Sequence, residues 1–177
     1  MSIKGSNTTS DYLNFDSTLN KALKLIKNDK NYKLGFLVVL GINSGLRISD
    51  ILSLKFSDLD GDSITLLEKK TNKKRVIRIN DNIKDAFDLL KNRTENHEGF
   101  IFTSNQNTVY SRQYVNRKLK DFFGNKKLSV SSHSLRKTFG RQVYLNNNET
   151  DKALLYLSDL FNHPSPSMTK RYLGIRQ

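Results

Sequence analysis

A chain of 177 residues with 36% hydrophobic and 27% charged residues has the length and composition of one globular domain, and folding at that size removes roughly 70% of the unfolded chain's surface from water. The absence of cysteine excludes disulfides, thiol catalysis and cysteine-based zinc sites, and fits a cytoplasmic protein; the longest apolar run, Leu34–Ile42, is far too short to cross a bilayer, and the first ten residues lack the apolar stretch of a signal peptide. Thirty Lys and Arg against 17 Asp and Glu leave a net charge of +13, which points to a polyanionic partner, nucleic acid being the commonest.

In chain order, residues 1–16 read as a polar, flexible lead-in, and 17–177 as a single domain with no separate unit before it. Leu19, Leu23 and Ile26 recur at helical spacing and predict an amphipathic helix over 17–29. Tyr32–Ile42 is almost wholly apolar and reads as a buried helix, broken by Asn43, Ser44 and Gly45. A short helix follows over Ile48–Leu54. The period then changes. Ser63–Glu68 and Lys74–Ile79 are rich in β-branched residues and joined by a short polar link, which predicts a β-hairpin or small meander. Asn80-Asp81 starts a helix to about Arg93, and Gly99–Thr103 reads as a strand. Helices are expected over Arg112–Phe123, Ser134–Asn146, Glu149–Phe161 and Ser167–Leu173. The order, helices around one small antiparallel sheet, is α+β and mostly α.

Charge is concentrated as well as abundant: from Arg112 to Arg141 nine basic residues face one acid, Asp121. Four short motifs carry the chemistry. They are Gly45-Leu46-Arg47-Ile48-Ser49-Asp50, the hairpin tip Lys70-Thr71-Asn72-Lys73, His133-Ser134-Leu135-Arg136, and Asn162-His163 followed nine residues later by Tyr172. Each has a plain reading alone: Arg47 as a surface charge, Lys70 as a solvated hairpin tip, His133 and Arg136 as helix-end residues, His163 as a turn, Tyr172 as one of seven tyrosines. Together they form the set that phosphodiester cleavage needs. Two guanidiniums neutralise the charge gathering on the non-bridging oxygens. A Lys or His protonates the leaving oxygen. A tyrosine, activated by neighbouring cations or a base, holds the cleaved end covalently. This set requires no metal, ATP or other cofactor.

The motifs resemble the catalytic domain of the tyrosine recombinase, or phage integrase, family, and those of bacterial mobile elements in particular. Arg47 stands in a Gly-Leu-Arg-Ile-Ser context with Asp50 where the family has Glu. Lys70-Thr71-Asn72-Lys73-Lys74-Arg75 matches its Lys-Gly-x-Lys-x-Arg hairpin, His133–Arg136 its His-x-Leu-Arg box, and Asn162-His163 its Gly-His pair before the nucleophile. The match spans roughly 35–174. Asn162 replaces Gly, and Lys137 replaces a frequent His. The resemblance implies Arg47, Lys70, His133, Arg136, His163 and Tyr172 as catalytic residues, with Tyr172 forming a 3′-phosphotyrosine. It implies double-stranded DNA as partner, a dimer to tetramer on DNA, and possible accessory DNA-binding proteins. Arg112, Lys118, Arg141 and Lys170 are the expected phosphate contacts flanking the site. A non-catalytic DNA-binding protein on the same fold, or a type IB topoisomerase, is the alternative.

Overall fold

The computed structural model describes residues 10–175. Among the described residues there are eight α-helices and one two-stranded antiparallel sheet: α1 (Phe15–Asn28), α2 (Tyr32–Ser44), α3 (Ile48–Ile51), β1 (Ser63–Leu67), β2 (Lys74–Arg78), α4 (Asp81–Lys91), α5 (Arg112–Phe123), α6 (Ser132–Asn146), α7 (Asp151–Phe161) and α8 (Pro166–Leu173). The α+β, mostly helical architecture is the expected one. Helix starts follow local chemistry, with side-chain oxygens accepting the first free backbone N–H groups. Asn14 accepts from Ser17, Asn80 from Ile83, Ser111 from Tyr114 and Thr150 from Ala153. Ser165 caps α8, whose first residue is Pro166, and proline is pre-set for that position.

Helix α2 is the hub. It is buried from Leu34 to Ile42, as its composition requires, and packs against α1, α4 and α6. Around it lies a core of thirty buried apolar residues. Six more, Tyr144, Ala153, Leu154, Leu157, Phe161 and Leu173, form a second cluster beneath α7 and α8. Helix α6 serves both, with Leu135 in the first and Tyr144 in the second. Close approach to α7 and α8 is possible because residue 140 is glycine; a Cβ there would meet Leu173 at 2.6 Å and Phe161 at 3.0 Å.

Several expected boundaries move. The stretch Gly99–Thr103 is not a regular strand. It crosses the chain after α3, with the Ile101 N–H bonded to the Leu54 carbonyl and that of Phe56 to the Gly99 carbonyl, and then pairs once more through Thr103 and Val109. Its apolarity reflects burial of Ile101 and Phe102, not strand pairing. Regular helix 48–54 stops at Ile51, and Phe56–Leu59 adds a 3-10 turn. The lead-in is not loose at residues 10–13. Asp11 and Ser129 exchange hydrogen bonds at 2.8 Å, and the Leu13 N–H donates to Thr138 Oγ1 at 2.8 Å. The rest of that expected lead-in, residues 1–9, lies outside the described residues.

Candidate active site

Arg47, Lys70, His133, Arg136, His163 and Tyr172 line one cleft of about 510 Å³, together with Arg112, Ser132, Phe161 and Asn162. Six side chains spread over 126 positions of sequence thus share one solvent-connected space.

Arg47 leaves the end of α2 through Gly45, which has φ 60° and closes the helix in the left-handed region. Glycine is required there twice over, because a Cβ would also stand 2.3 Å from the Phe139 ring. The Arg47 Nη1 donates to Glu68 Oε2 at 2.6 Å and its Nη2 to the Phe161 carbonyl at 3.3 Å. Arg136, one turn after His133 on α6, donates to the Gly45 carbonyl and lies over the Phe161 ring at 4.3 Å. Its Nη2 is enclosed with no protein partner among the described residues. Burial first, then the neighbouring charge of Arg47, pulls the Arg136 guanidinium down to about 10.

Tyr172, on α8, meets Phe161 and His163 edge-on at 5.5 and 5.1 Å between ring centres, with Lys137 Nζ 5.3 Å from its ring centre. Its hydroxyl is likewise enclosed and unpartnered. Burial pushes the phenol up to about 12, against the opposing pull of Arg136 and Arg47. His163 Nδ1 is 3.0 Å from Thr169 Oγ1, a contact that fixes the ring on α8. Loss of solvent, then the charge of Arg136, lowers both His163 and His133 from the ordinary histidine value, which favours the neutral rings. Lys70 is exposed at the hairpin tip.

Asn162 ends α7 at φ 56°, ψ 47°, the left-handed conformation that glycine and asparagine tolerate best, so the motif's glycine position accepts Asn without a change of fold. Its Oδ1 also accepts from Lys73 Nζ at 3.2 Å, joining the hairpin to α7.

Of the four expected phosphate contacts, only Arg112 lines this cleft. Lys118 faces a separate groove with Lys30 and Tyr114, and Lys170 a groove between α7 and α8. Arg141 is engaged by the last carbonyls of α8, Leu173 at 3.1 Å and Gly174 at 3.5 Å, and by the Tyr12 ring at 3.8 Å. Sequence reasoning missed Glu68. Its carboxylate, 5% exposed, lies between Arg47 and Arg75, and Arg75 also donates to the Ser44 carbonyl at 2.8 Å. The signal was present: counting by twos from Ile64 through Leu66 puts Glu68 on the inward face of the hairpin. A charge buried there demands partners.

The sequence profile of the phage integrase family matches residues 16–177. The chain belongs to that family. Over 158 residues it is 37% identical to the probable integrase/recombinase YoeC of Bacillus subtilis, covering 88% of this chain and 83% of that one. It is 29% identical to a XerD-like tyrosine recombinase of Streptococcus thermophilus, across 79% of this chain and 51% of that relative, so it spans about half of the longer protein. Among solved structures, the XerA recombinase superposes with a TM-score of 0.69 at 20% identity, over 99% of this chain and 62% of that one. The catalytic domain of bacteriophage HP1 integrase superposes with a TM-score of 0.59 at 24% identity, over 93% of this chain and 88% of that one. A lambda integrase dimer bound to a core site has the same fold, with a TM-score of 0.67 at 19% identity, over 98% of this chain and 63% of that one. No described helix of this integrase-family chain is long and apolar enough to cross a membrane.

Proposed function

We propose that this chain is a site-specific DNA strand transferase that cuts and rejoins duplex DNA through Tyr172. The observation that carries the reading is the shared cleft, in which an enclosed phenol and an enclosed guanidinium edge both lack partners among the described residues. Polar atoms buried in that state carry a cost unless a ligand meets them.

In the proposed reaction the Tyr172 oxygen attacks the scissile phosphorus and forms a 3′-phosphotyrosine, while the bond to the 5′ oxygen breaks. Arg47 and Arg136 neutralise the two non-bridging oxygens; fixed donors of this kind are worth roughly 3–4 kcal/mol each. A phenol held near 12 keeps its proton at neutral pH, so the proton must leave as attack proceeds. His133, whose neutral form burial and the nearby cations favour, accepts it, while Lys70 delivers a proton to the departing 5′ oxygen. His163 steadies the phosphate and packs beside the phenol. A 5′ hydroxyl from a partner strand reverses the step, which on an exchanged strand is recombination. Two strands cut and exchanged require at least two copies of the chain on DNA.

The test is covalent capture. Nicked duplexes of randomised sequence are incubated with the protein in EDTA, and DNA that migrates with protein after denaturation is sequenced. Capture by the wild type and none by Tyr172→Phe is the expected result. Equal capture by Tyr172→Phe removes Tyr172 as nucleophile, and no capture by either overturns the reading.

A further inference from the structure

We propose, on the basis of that reading, that Glu68 is a positioning residue for cleavage: its buried carboxylate aims the Arg47 guanidinium at the scissile phosphate. Four observations support this. The Arg47–Glu68 contact is 2.6 Å and uses one end of the guanidinium. Of the five N–H donors of Arg47, one goes to Glu68 and one to the Phe161 carbonyl, which leaves the others for a phosphate in the cleft. Glu68 is itself held from the far side by Arg75 at 3.0 Å, and Arg75 is anchored on the Ser44 carbonyl at the end of α2. The third partner is Thr71 Oγ1 at 2.7 Å, so the same carboxylate braces the turn that carries Lys70. Burial alone would raise the Glu68 carboxyl, but bonds from Thr71, Arg47 and Arg75 outweigh it and hold the group at about 2, ionised throughout the working range.

A carboxylate buried behind Arg47, next to a phosphate-binding cleft, opposes DNA binding. A carboxylate whose work is to orient a guanidinium therefore has opposite effects on affinity and on chemistry. In a cleft serving affinity alone, its removal would bring only gain. Glu68→Gln keeps the shape and removes the charge, so it separates these two effects.

The experiment uses a duplex captured by the wild type and a copy in which the scissile 5′ bridging oxygen is sulfur. A thiolate leaves without a proton, so the sulfur substrate bypasses the Lys70 step. Single-turnover adduct formation is measured for wild type, Glu68→Gln, Glu68→Asp and Lys70→Ala, alongside duplex affinity and thermal melting. The expected result for Glu68→Gln is adduct formation slowed at least tenfold on both substrates, with duplex affinity unchanged or higher. Glu68→Asp regains part of the rate, and Lys70→Ala recovers on sulfur alone. Wild-type rates in Glu68→Gln overturn the proposal. So does recovery of Glu68→Gln on sulfur, which would place its action on Lys70. So does a parallel fall in affinity, rate and melting temperature, which would make Glu68 a residue of the fold only. Failure of the parent reading looks different: the wild type itself forms no adduct.

Discussion

The two hydrophobic clusters divide the cleft between them. The thirty-residue core around α2 carries Arg47 and, through the hairpin packed on it, Lys70; the six-residue cluster under α7 and α8 carries His163 and Tyr172. Groups that receive a phosphate need fixed geometry, which a large core supplies. In the proposed reaction Tyr172 attacks and is later released, and it sits on the smaller packing unit, where local opening is less costly. Arg136 belongs to both, from α6, with one contact on the Gly45 carbonyl and another on the Phe161 ring.

Two leucines of equal burial test this division. Leu37 and Leu157 are both 0% exposed, one in each cluster. Leu37→Ala should lower global stability by about 2–5 kcal/mol and release all elements together. Leu157→Ala should instead open 151–173 first, with hydrogen exchange accelerating in α7 and α8 while α2 keeps its protection. Simultaneous loss of protection in both regions would mean one cooperative unit and would end the comparison.

Arg136→Ala is expected next in size. It should slow adduct formation by about 10²–10³, the cost of one fixed donor on developing charge. Arg136→Lys should fall between, since it keeps the charge but not the fork. A rate for Arg136→Ala within threefold of wild type would remove Arg136 from the phosphate.

The sequence made visible what periodicity and short motifs encode: helix count, the hairpin, and the six side chains that share the cleft. It was less informative where tertiary contacts decide. Ile101 and Phe102 looked like a strand because buried crossing segments and strands have the same apolar composition. Arg141 looked like a free cation because nothing local reveals that the carbonyls ending α8 lie 32 positions away. Lys118 and Lys170 had the right charge, but charge carries no direction. Glu68 was hidden by its basic neighbours, though its strand parity pointed inward.

A pH scan compares a phenol from each region. Tyr110, beside Tyr114 and packed on the large core, and Tyr172 are both pushed up to about 12, chiefly by burial. An unfolded tyrosine releases its proton near 10. The folded state keeps that proton longer, so each phenol's contribution is intact below pH 10 and is lost as pH climbs from 10 towards 12. Melting temperature measured from pH 9 to 11.5 should therefore fall less steeply in Tyr110→Phe and in Tyr172→Phe than in wild type. An unchanged slope in either variant would mean that phenol is solvated in the folded protein.

The smallest effect concerns the tether between the two regions. Asn162→Gly relieves a left-handed non-glycine residue, which favours the variant by up to about 1 kcal/mol. It also deletes the 3.2 Å bond from Lys73, an exposed contact worth about 0.5 kcal/mol or a little more. The two nearly cancel, so melting should shift by less than about 3 °C. Dynamics should not cancel, because only the bond spans the hairpin and α7. Amide exchange at the hairpin tip, residues 69–73, should quicken while α7 is unchanged. Unaltered exchange at the tip would show that Glu68 and Thr71 hold the turn without help from α7, so that Arg47 and Arg136, not the hairpin, tie the large core to the helices that carry Tyr172.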